Sequence, residues 1–92
     1  MKVSYSPAAI AQLDAIFAYI ARDNSAAAAR VVAAIEAAIQ HLTYFPFSGR
    51  LTDEENVRML VLSRYPYLIF YKVLSDDELR ILRMMHAAQD RR

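Results

Sequence analysis

The sequence predicts an α+β domain of two layers, in which a helical hairpin packs on a mainly antiparallel sheet in the order β-α-α-β-β-β. Two observations predict this fold. In the first half, apolar residues recur at helical spacing in two segments joined by a connection short enough to require an antiparallel hairpin. Residues 57–86 instead alternate apolar and polar side chains in three runs, which is typical of an antiparallel meander. The 92 residues, 1–92, are expected to form one domain.

The helical half follows one short strand at residues 1–5. Ser6 is expected to cap the first helix, and Pro7 to take its first position, where a missing N–H costs nothing. Turn residues end this helix near Arg22, and Ser25 is expected to cap a second helix that continues to about Thr43. The apolar stripe of the first helix is Ile10, Leu13, Phe17 and Ile20, and that of the second is Ala28, Val31, Val32, Ile35, Ile39 and Leu42.

The three strands of the meander are expected at residues 57–64, 67–74 and 79–86. Pro66 separates the first two because it lacks the N–H that a central strand donates, and a polar turn at residues 75–78 separates the last two. Gly49, the only glycine, is expected to supply a positive φ angle or a close backbone approach. Residues 51–56 form an acidic loop, and the tail after His86 is short and polar.

The chain carries more apolar surface than one small core requires, with 57% hydrophobic residues. On the second meander strand, Leu68 and Phe70 point away from Tyr67 and Ile69, so one apolar sheet face is expected to meet solvent beside arginines. The second helix also has a face of small residues: Ala26, Ala29, Ala33 and Ala37. That face is either a solvated surface of high helix propensity or one that another helix approaches closely. Together these features favour a bound partner.

Composition excludes several classes of function. The net charge of +1 argues against strong non-specific attraction to nucleic acid, and no apolar run is long enough to span a membrane. The absence of cysteine removes thiolate metal sites and agrees with a cytoplasmic location. The two histidines lie on different elements and a single glycine cannot form a phosphate-binding loop, so neither a metal nor another cofactor is expected.

The residues that could carry chemistry are basic and lie in the meander: His86, Arg64, Arg58 and Arg83. On an RNA substrate, a histidine can transfer a proton while arginines neutralise the phosphate, without a metal. The competing interpretation is structural, because sheet arginines are often solvated or paired and a histidine that ends a strand is often hydrogen-bonded. The residues alone leave both interpretations open.

The order of elements and a set of short sequence words resemble the ParE/RelE superfamily of type II toxin–antitoxin toxins. The matching positions cover nearly the whole chain: Ser6-Pro7-Ala8-Ala9, Leu13, Tyr19-Ile20-Ala21, Ala28-Ala29-Arg30-Val31, Ile35, Ile39, Leu42, Pro46, Gly49-Arg50, Val57-Arg58, residues 65–71 and 81–86, and Asp90. The resemblance implies the fold derived above and a cognate antitoxin that wraps the hairpin and sheet. That antitoxin would account for the excess apolar surface, in a hetero-oligomeric complex.

Within the superfamily, the ending at residues 81–90 resembles the ParE branch, although Gln89 stands where an arginine is usual. ParE-like members inhibit DNA gyrase, need no known catalytic residues and are linked to plasmid stabilisation. RelE-like members cut messenger RNA in the ribosome, and this sequence lacks the lysine pair and the tyrosine after His86 that some of them use. A loop acid, Glu54 or Glu55, with Arg64 and His86 keeps the nuclease open as the alternative.

The resemblance to ParE implies two surfaces. The expected target-binding residues are Arg64, Arg83 and His86, and the expected antitoxin-binding residues are Phe17, Ala29, Ala33, Ala37 and Phe70. A third possibility is an inactive module that retains only the partner surface.

Overall fold

A computed structural model describes residues 1–90 and confirms the predicted α+β fold. Strand β1 spans Lys2–Tyr5, helix α1 Pro7–Ala21, helix α2 Ser25–Tyr44, β2 Arg50–Leu51, β3 Arg58–Val61, β4 Tyr67–Ser75 and β5 Glu78–His86, and a 3-10 turn follows at Ala87–Gln89. The sheet order is β1-β5-β4-β3-β2, with β1 parallel to β5 and every other pair antiparallel. Among the described residues, no helix has the length and apolar character that a membrane crossing requires.

Both helices begin at a side-chain cap. The Ser6 hydroxyl accepts a hydrogen bond from the Ala9 N–H at 3.0 Å and donates to the Leu82 carbonyl at 2.5 Å, so the cap also fixes α1 to β5. The cap of α2 is Asn24, whose Oδ1 accepts from the Ala27 N–H at 3.0 Å. The prediction of Ser25 was therefore wrong by one residue. Asparagine and serine cap helices equally well, so the local sequence did not separate them.

The main core lies between the hairpin and one sheet face. From β4 it takes Tyr67, Ile69 and Tyr71, which settles the face that the alternation left open. From α2 it takes four of the predicted stripe residues, Val31, Ile35, Ile39 and Leu42. These side chains are at most 8% exposed, and at about 25 cal/mol per Å² their burial supplies most of the stabilisation.

A bulge in β5 lets the chain build a second core on the other face. Phe70 pairs with Arg83 while Tyr71 pairs with Ile81, so Leu82 is an extra residue in β5. As a result Ile81 and Met84, three residues apart, both face the helices. Leu82 and Arg83 both face outward. Uninterrupted alternation would split each of these pairs between the two faces of the sheet.

The outer face of the sheet is covered by the chain itself. Leu68 and Phe70 are only 5% and 0% exposed, packed with Val57 and Met59, and the Arg83 guanidinium lies 4.1 Å from the Phe70 ring centroid. The expectation that this face would leave Leu68 and Phe70 open to solvent was therefore wrong. Strand β4 alone could not reveal the cover, because the covering residues come from β3, from β5 and from the loop before β3.

The loop between α2 and β3 departs most from the sequence-based prediction. The predicted first meander strand is shorter, Arg58–Val61, and the unpredicted β2 pairs with it through Arg50 and Leu51. Gly49 does not take a positive φ angle; that conformation belongs to Asn56, at 62°. Gly49 makes the alternative close approach, because a Cβ there would lie 2.6 Å from the Tyr71 hydroxyl oxygen.

The Tyr71 hydroxyl joins this loop to the core. It accepts a hydrogen bond from the Gly49 N–H at 2.9 Å and donates one to the Pro46 carbonyl at 2.8 Å. The side chain is fully buried, and burial raises the pKa of Tyr71 above its usual value, so the phenol stays protonated at neutral pH. One core hydroxyl thus fixes the path of the chain from α2 to β2.

Substitution Tyr71→Phe should lower the free energy of unfolding by about 1–3 kcal/mol, because it leaves the Gly49 N–H and the Pro46 carbonyl without their partner in a buried site. Urea unfolding followed by circular dichroism measures the change. Tyr44→Phe is the matched control. Tyr44 is 72% exposed, so this variant should unfold at the same urea midpoint as the wild type. Equal midpoints for both variants would contradict this role of Tyr71.

Candidate functional site

The four basic candidates do not converge on one catalytic cluster. Arg58 lies opposite Tyr71 at the start of β3, whereas His86 lies opposite Tyr67 at the end of β5. Those two positions are four residues apart on β4, which is about 13 Å along the sheet, and β4 also lies between the two strands. Each candidate therefore has to be judged by its own contacts.

Arg58 holds the loop that leaves α2. Its guanidinium donates to the Gly49 carbonyl at 2.8 Å and to the Phe47 carbonyl at 3.2 Å, and it lies 5.1 Å from the Phe47 ring centroid. Two carbonyls and a ring face satisfy much of one guanidinium. The contacts of Arg58 are thus those of a structural residue.

Arg83 closes the outer core. Its guanidinium pairs with the Glu54 carboxylate while it stacks on the Phe70 ring. Glu54 belongs to the loop before β3, so the pair holds that loop against β5. The Glu54 carboxylate also offsets the positive charge with which Arg83 would bind a phosphate. The suggested grouping of a loop acid with Arg64 and His86 is not seen for Glu54, which meets Arg83 instead.

His86 caps the C-terminal turn. Its Nδ1 accepts a hydrogen bond from the Ala88 N–H at 3.0 Å, and the Gln89 side chain accepts from the His86 N–H at 3.0 Å. This reciprocal arrangement is a capping box. The spacing of His86 and Gln89 was the signal in the sequence, although histidine is not the usual first residue of such a box.

The tyrosine beside His86, Tyr67, is held in its neutral form. The ring of Tyr67 meets that of His86 edge-on, with centroids 5.4 Å apart. Burial raises the pKa of Tyr67, and interaction with Tyr19 raises it further, so this phenol does not supply a base at neutral pH. Both rings border a groove of about 590 Å³ between α1 and the end of β5, lined also by Ile16, Met84 and Met85.

Arg64 differs from the other three. It lies in the exposed loop between β3 and β4, and within residues 1–90 the structure gives its guanidinium no hydrogen bond or ion pair. It lines a second groove, of about 470 Å³, between α2 and β3. Of the four candidates, Arg64 is the cation that remains free to meet a partner.

The expected antitoxin-binding residues are exposed with one exception. Phe17 is 43% exposed on α1, and Ala29, Ala33 and Ala37 form an exposed face of α2. Phe70 is fully buried and lies under Arg83, so it cannot contact a partner from solvent. Ile10 was expected on the apolar stripe of α1, but it is 53% exposed. Other exposed apolar side chains are Tyr19 on α1, Tyr44 at the end of α2, Phe45 and Phe47 after it, and Val61 on β3. The described residues contain no cluster of potential metal ligands.

Comparison with known proteins identifies the family to which this chain belongs. The model of the family described as ParE toxin of type II toxin-antitoxin system, parDE, matches residues 3–91. The chain belongs to the ParE toxin family. It is 43% identical over 88 residues to a protein of Sinorhizobium fredii strain NGR234 named "Putative toxin Y4kP", covering 96% of this chain and 90% of that one.

A solved structure of a ParDE toxin–antitoxin system contains a chain with the same fold. The structure is entitled "Chromosomal ParDE TA system from P. aeruginosa". Its matching chain superposes with a TM-score of 0.80 at 28% identity, and the match covers 94% of this chain and 95% of that one. The chain is thus a toxin of a ParDE-type toxin–antitoxin system, and membership in this family implies an antitoxin partner. The resemblance drawn from the sequence words is confirmed.

The capping role of His86 in this ParE chain predicts a difference between two substitutions. His86→Asn should preserve the turn, because a short side-chain oxygen can accept from the Ala88 N–H, whereas His86→Ala should lose about 1 kcal/mol of stability. Hydrogen exchange of the Ala88 amide and thermal unfolding measure the two effects. Equal protection of Ala88 in both variants would show that the ring does not cap.

Proposed function

We propose that this chain inhibits DNA gyrase and that a cognate, ParD-like antitoxin neutralises it in a hetero-oligomeric complex in the cytoplasm. The observation that carries the proposal is the match to the ParE family over residues 3–91. In this proposal the toxin acts by binding its target, without an enzymatic step, a metal or a cofactor. Stabilisation of a plasmid is one role that such a module would serve.

The contacts of the basic residues support binding over catalysis. A ribonuclease that acts without metal needs a free base and arginines aimed at the phosphate. Here Nδ1 of His86 is occupied by the Ala88 N–H, Arg83 is neutralised by Glu54, and Arg58 serves loop carbonyls. RelE-like cleavage of messenger RNA in the ribosome thus gains no support from the geometry.

Arg64 is the residue that we assign to direct contact with the target. Its guanidinium is exposed and has no partner within the described part of the chain. Arg83 and His86 contribute in a different way, since one holds the loop before β3 and the other holds the C-terminal turn. Their substitution would act on the target surface through the shape of these segments.

Induction of the chain alone in bacteria tests the target. We expect trapped gyrase–DNA cleavage complexes and an SOS response, with no messenger cuts positioned within codons. The His86→Asn variant should give the same result, because it keeps the cap and removes the imidazole base. Codon-positioned cuts without DNA damage, abolished by His86→Asn, would establish the ribonuclease and refute gyrase inhibition.

The alanine face of α2 is proposed as part of the antitoxin surface. Substitution Ala33→Arg should lower antitoxin affinity by about tenfold or more, because a long cation then stands where a partner backbone approaches closely. Titration calorimetry against the cognate antitoxin measures the change, and circular dichroism checks that α2 is intact. Ala33→Ser keeps the small side chain and serves as the control. Wild-type affinity for Ala33→Arg would show that this face is only solvated.

A further inference from the structure

Strand β3 has an open edge. The Leu62 N–H donates to the Tyr67 carbonyl at 3.1 Å, so the backbone of Leu62 faces β4. Because antiparallel pairing alternates, Leu60 also faces β4, while the N–H and C=O of Met59 and Val61 face away from it. Strand β2 covers Met59 through Arg50, and in the described structure no strand reaches Val61.

The chain that would have to cover Val61 turns away before it does so. Extending the register of β2 by two residues would place Ser48 opposite Val61. The Ser48 N–H instead donates to the Phe45 carbonyl at 3.1 Å, in the turn after α2. Val61 is left 54% exposed, with a backbone donor and a backbone acceptor directed at solvent.

A groove runs beside this edge and suits a side chain of an added strand. It lies between small residues of α2, Ala34, Ala37 and Ala38, and the β3 side chain Leu60. Its two basic residues are His41 and Arg64, and no aspartate or glutamate is among its described lining residues. An apolar side chain fits this floor, and a carboxylate fits Arg64.

A second copy of this chain is a poor occupant of the edge. Antiparallel pairing of two β3 strands about Val61 would place Arg64 of each copy opposite Arg58 of the other. That arrangement brings like charges together at both ends of the contact.

We propose that an extended segment of the antitoxin adds to the open edge of β3 at Val61 as a sixth strand of the sheet, with an apolar side chain in the groove against Ala37 and an aspartate or glutamate side chain on Arg64. This inference rests on the proposed neutralisation by an antitoxin, and it adds how the antitoxin would bind, as a strand at the edge of β3. Because Arg64 is also the residue assigned to the target, the added strand would cover it, and target and antitoxin would exclude one another.

Hydrogen exchange on the free toxin and on its complex with the antitoxin encoded in the same operon tests the edge directly. The Val61 amide should exchange quickly in the free toxin and at least about tenfold more slowly in the complex. The Leu62 amide already bonds to Tyr67 and serves as the internal reference. An unchanged Val61 rate in a complex that forms normally would overturn the proposal.

Two substitutions at Val61 separate the backbone from the side chain. Val61→Pro removes the outward N–H but no bond to β4, so the fold should survive and antitoxin affinity should fall by about tenfold or more. Val61→Thr keeps the N–H and should bind like the wild type. Wild-type affinity for a folded Val61→Pro variant would refute strand addition. Equal losses in both variants would assign the effect to the side chain and refute it as well.

Charge reversal tests the carboxylate. Arg64→Glu should weaken antitoxin binding by about tenfold and flatten its dependence on salt. Lys2→Glu makes the same charge change on β1, at the opposite edge of the sheet, and should have little effect. Equal effects of the two substitutions would show that only the overall charge of the toxin matters, and would overturn the contact between Arg64 and a carboxylate.

The free toxin provides a further test of the edge. If the free toxin forms a dimer that Val61→Pro dissociates, the edge binds a second copy of the chain, and the proposal of antitoxin binding there is refuted. If the wild-type toxin bound no antitoxin at all, the proposal of neutralisation would itself be refuted. The proposal of gyrase inhibition would not be affected, because gyrase trapping is measured in a separate experiment.

Discussion

The bulge at Leu82 is the constraint on which the rest of the structure depends. A regular β5 would place Ile81 and Met84 on opposite faces, and either the hairpin or the outer core would lose a large side chain. The extra residue keeps both in the main core and directs Arg83 over Phe70. The pairing of Arg83 with Glu54 then holds the loop before β3 across the sheet. A small chain thereby fills two layers of core from one sheet.

This arrangement determines which charges are left for function. Arg83 stacks on Phe70 and forms an ion pair, Arg58 donates hydrogen bonds to loop carbonyls, and His86 caps the C-terminal turn. An arginine paired with a carboxylate presents less net positive charge to a second anion than a free arginine does, because the carboxylate offsets part of its charge. Arg64 follows β3 in a loop and has no such commitment in residues 1–90. Among the four basic candidates, the free charge therefore lies at the end of β3, beside the open edge.

The sequence predicted what depends on periodicity and failed where distant segments meet. Helical spacing located both helices, and the alternation from Tyr67 to Val73 grouped the correct side chains on one face. The same alternation, continued through residues 79–86, hid the bulge, because Leu82 and Arg83 read as an ordinary outward and inward pair. The burial of Phe70 could not be predicted from its own strand, since the cover comes from Arg83 and the loop before β3. For the site, the sequence supplied candidate residues by type, but the contacts that these residues make were visible only in three dimensions.

The excess of apolar residues has two explanations, and the structure separates them. Part of the excess is internal, because the outer sheet face is a second core and needs no partner. Much of the remainder is exposed on α1, at the exit of α2 and at Val61 on β3. A free toxin would expose these side chains together with an unpaired strand edge, which is a combination that favours aggregation. A partner that adds a strand satisfies the backbone and covers apolar surface in one step. Arg64 and Val61 line the same groove, so in the proposed complex the added strand would also cover Arg64. A single contact would then stabilise the toxin and block the residue assigned to its target.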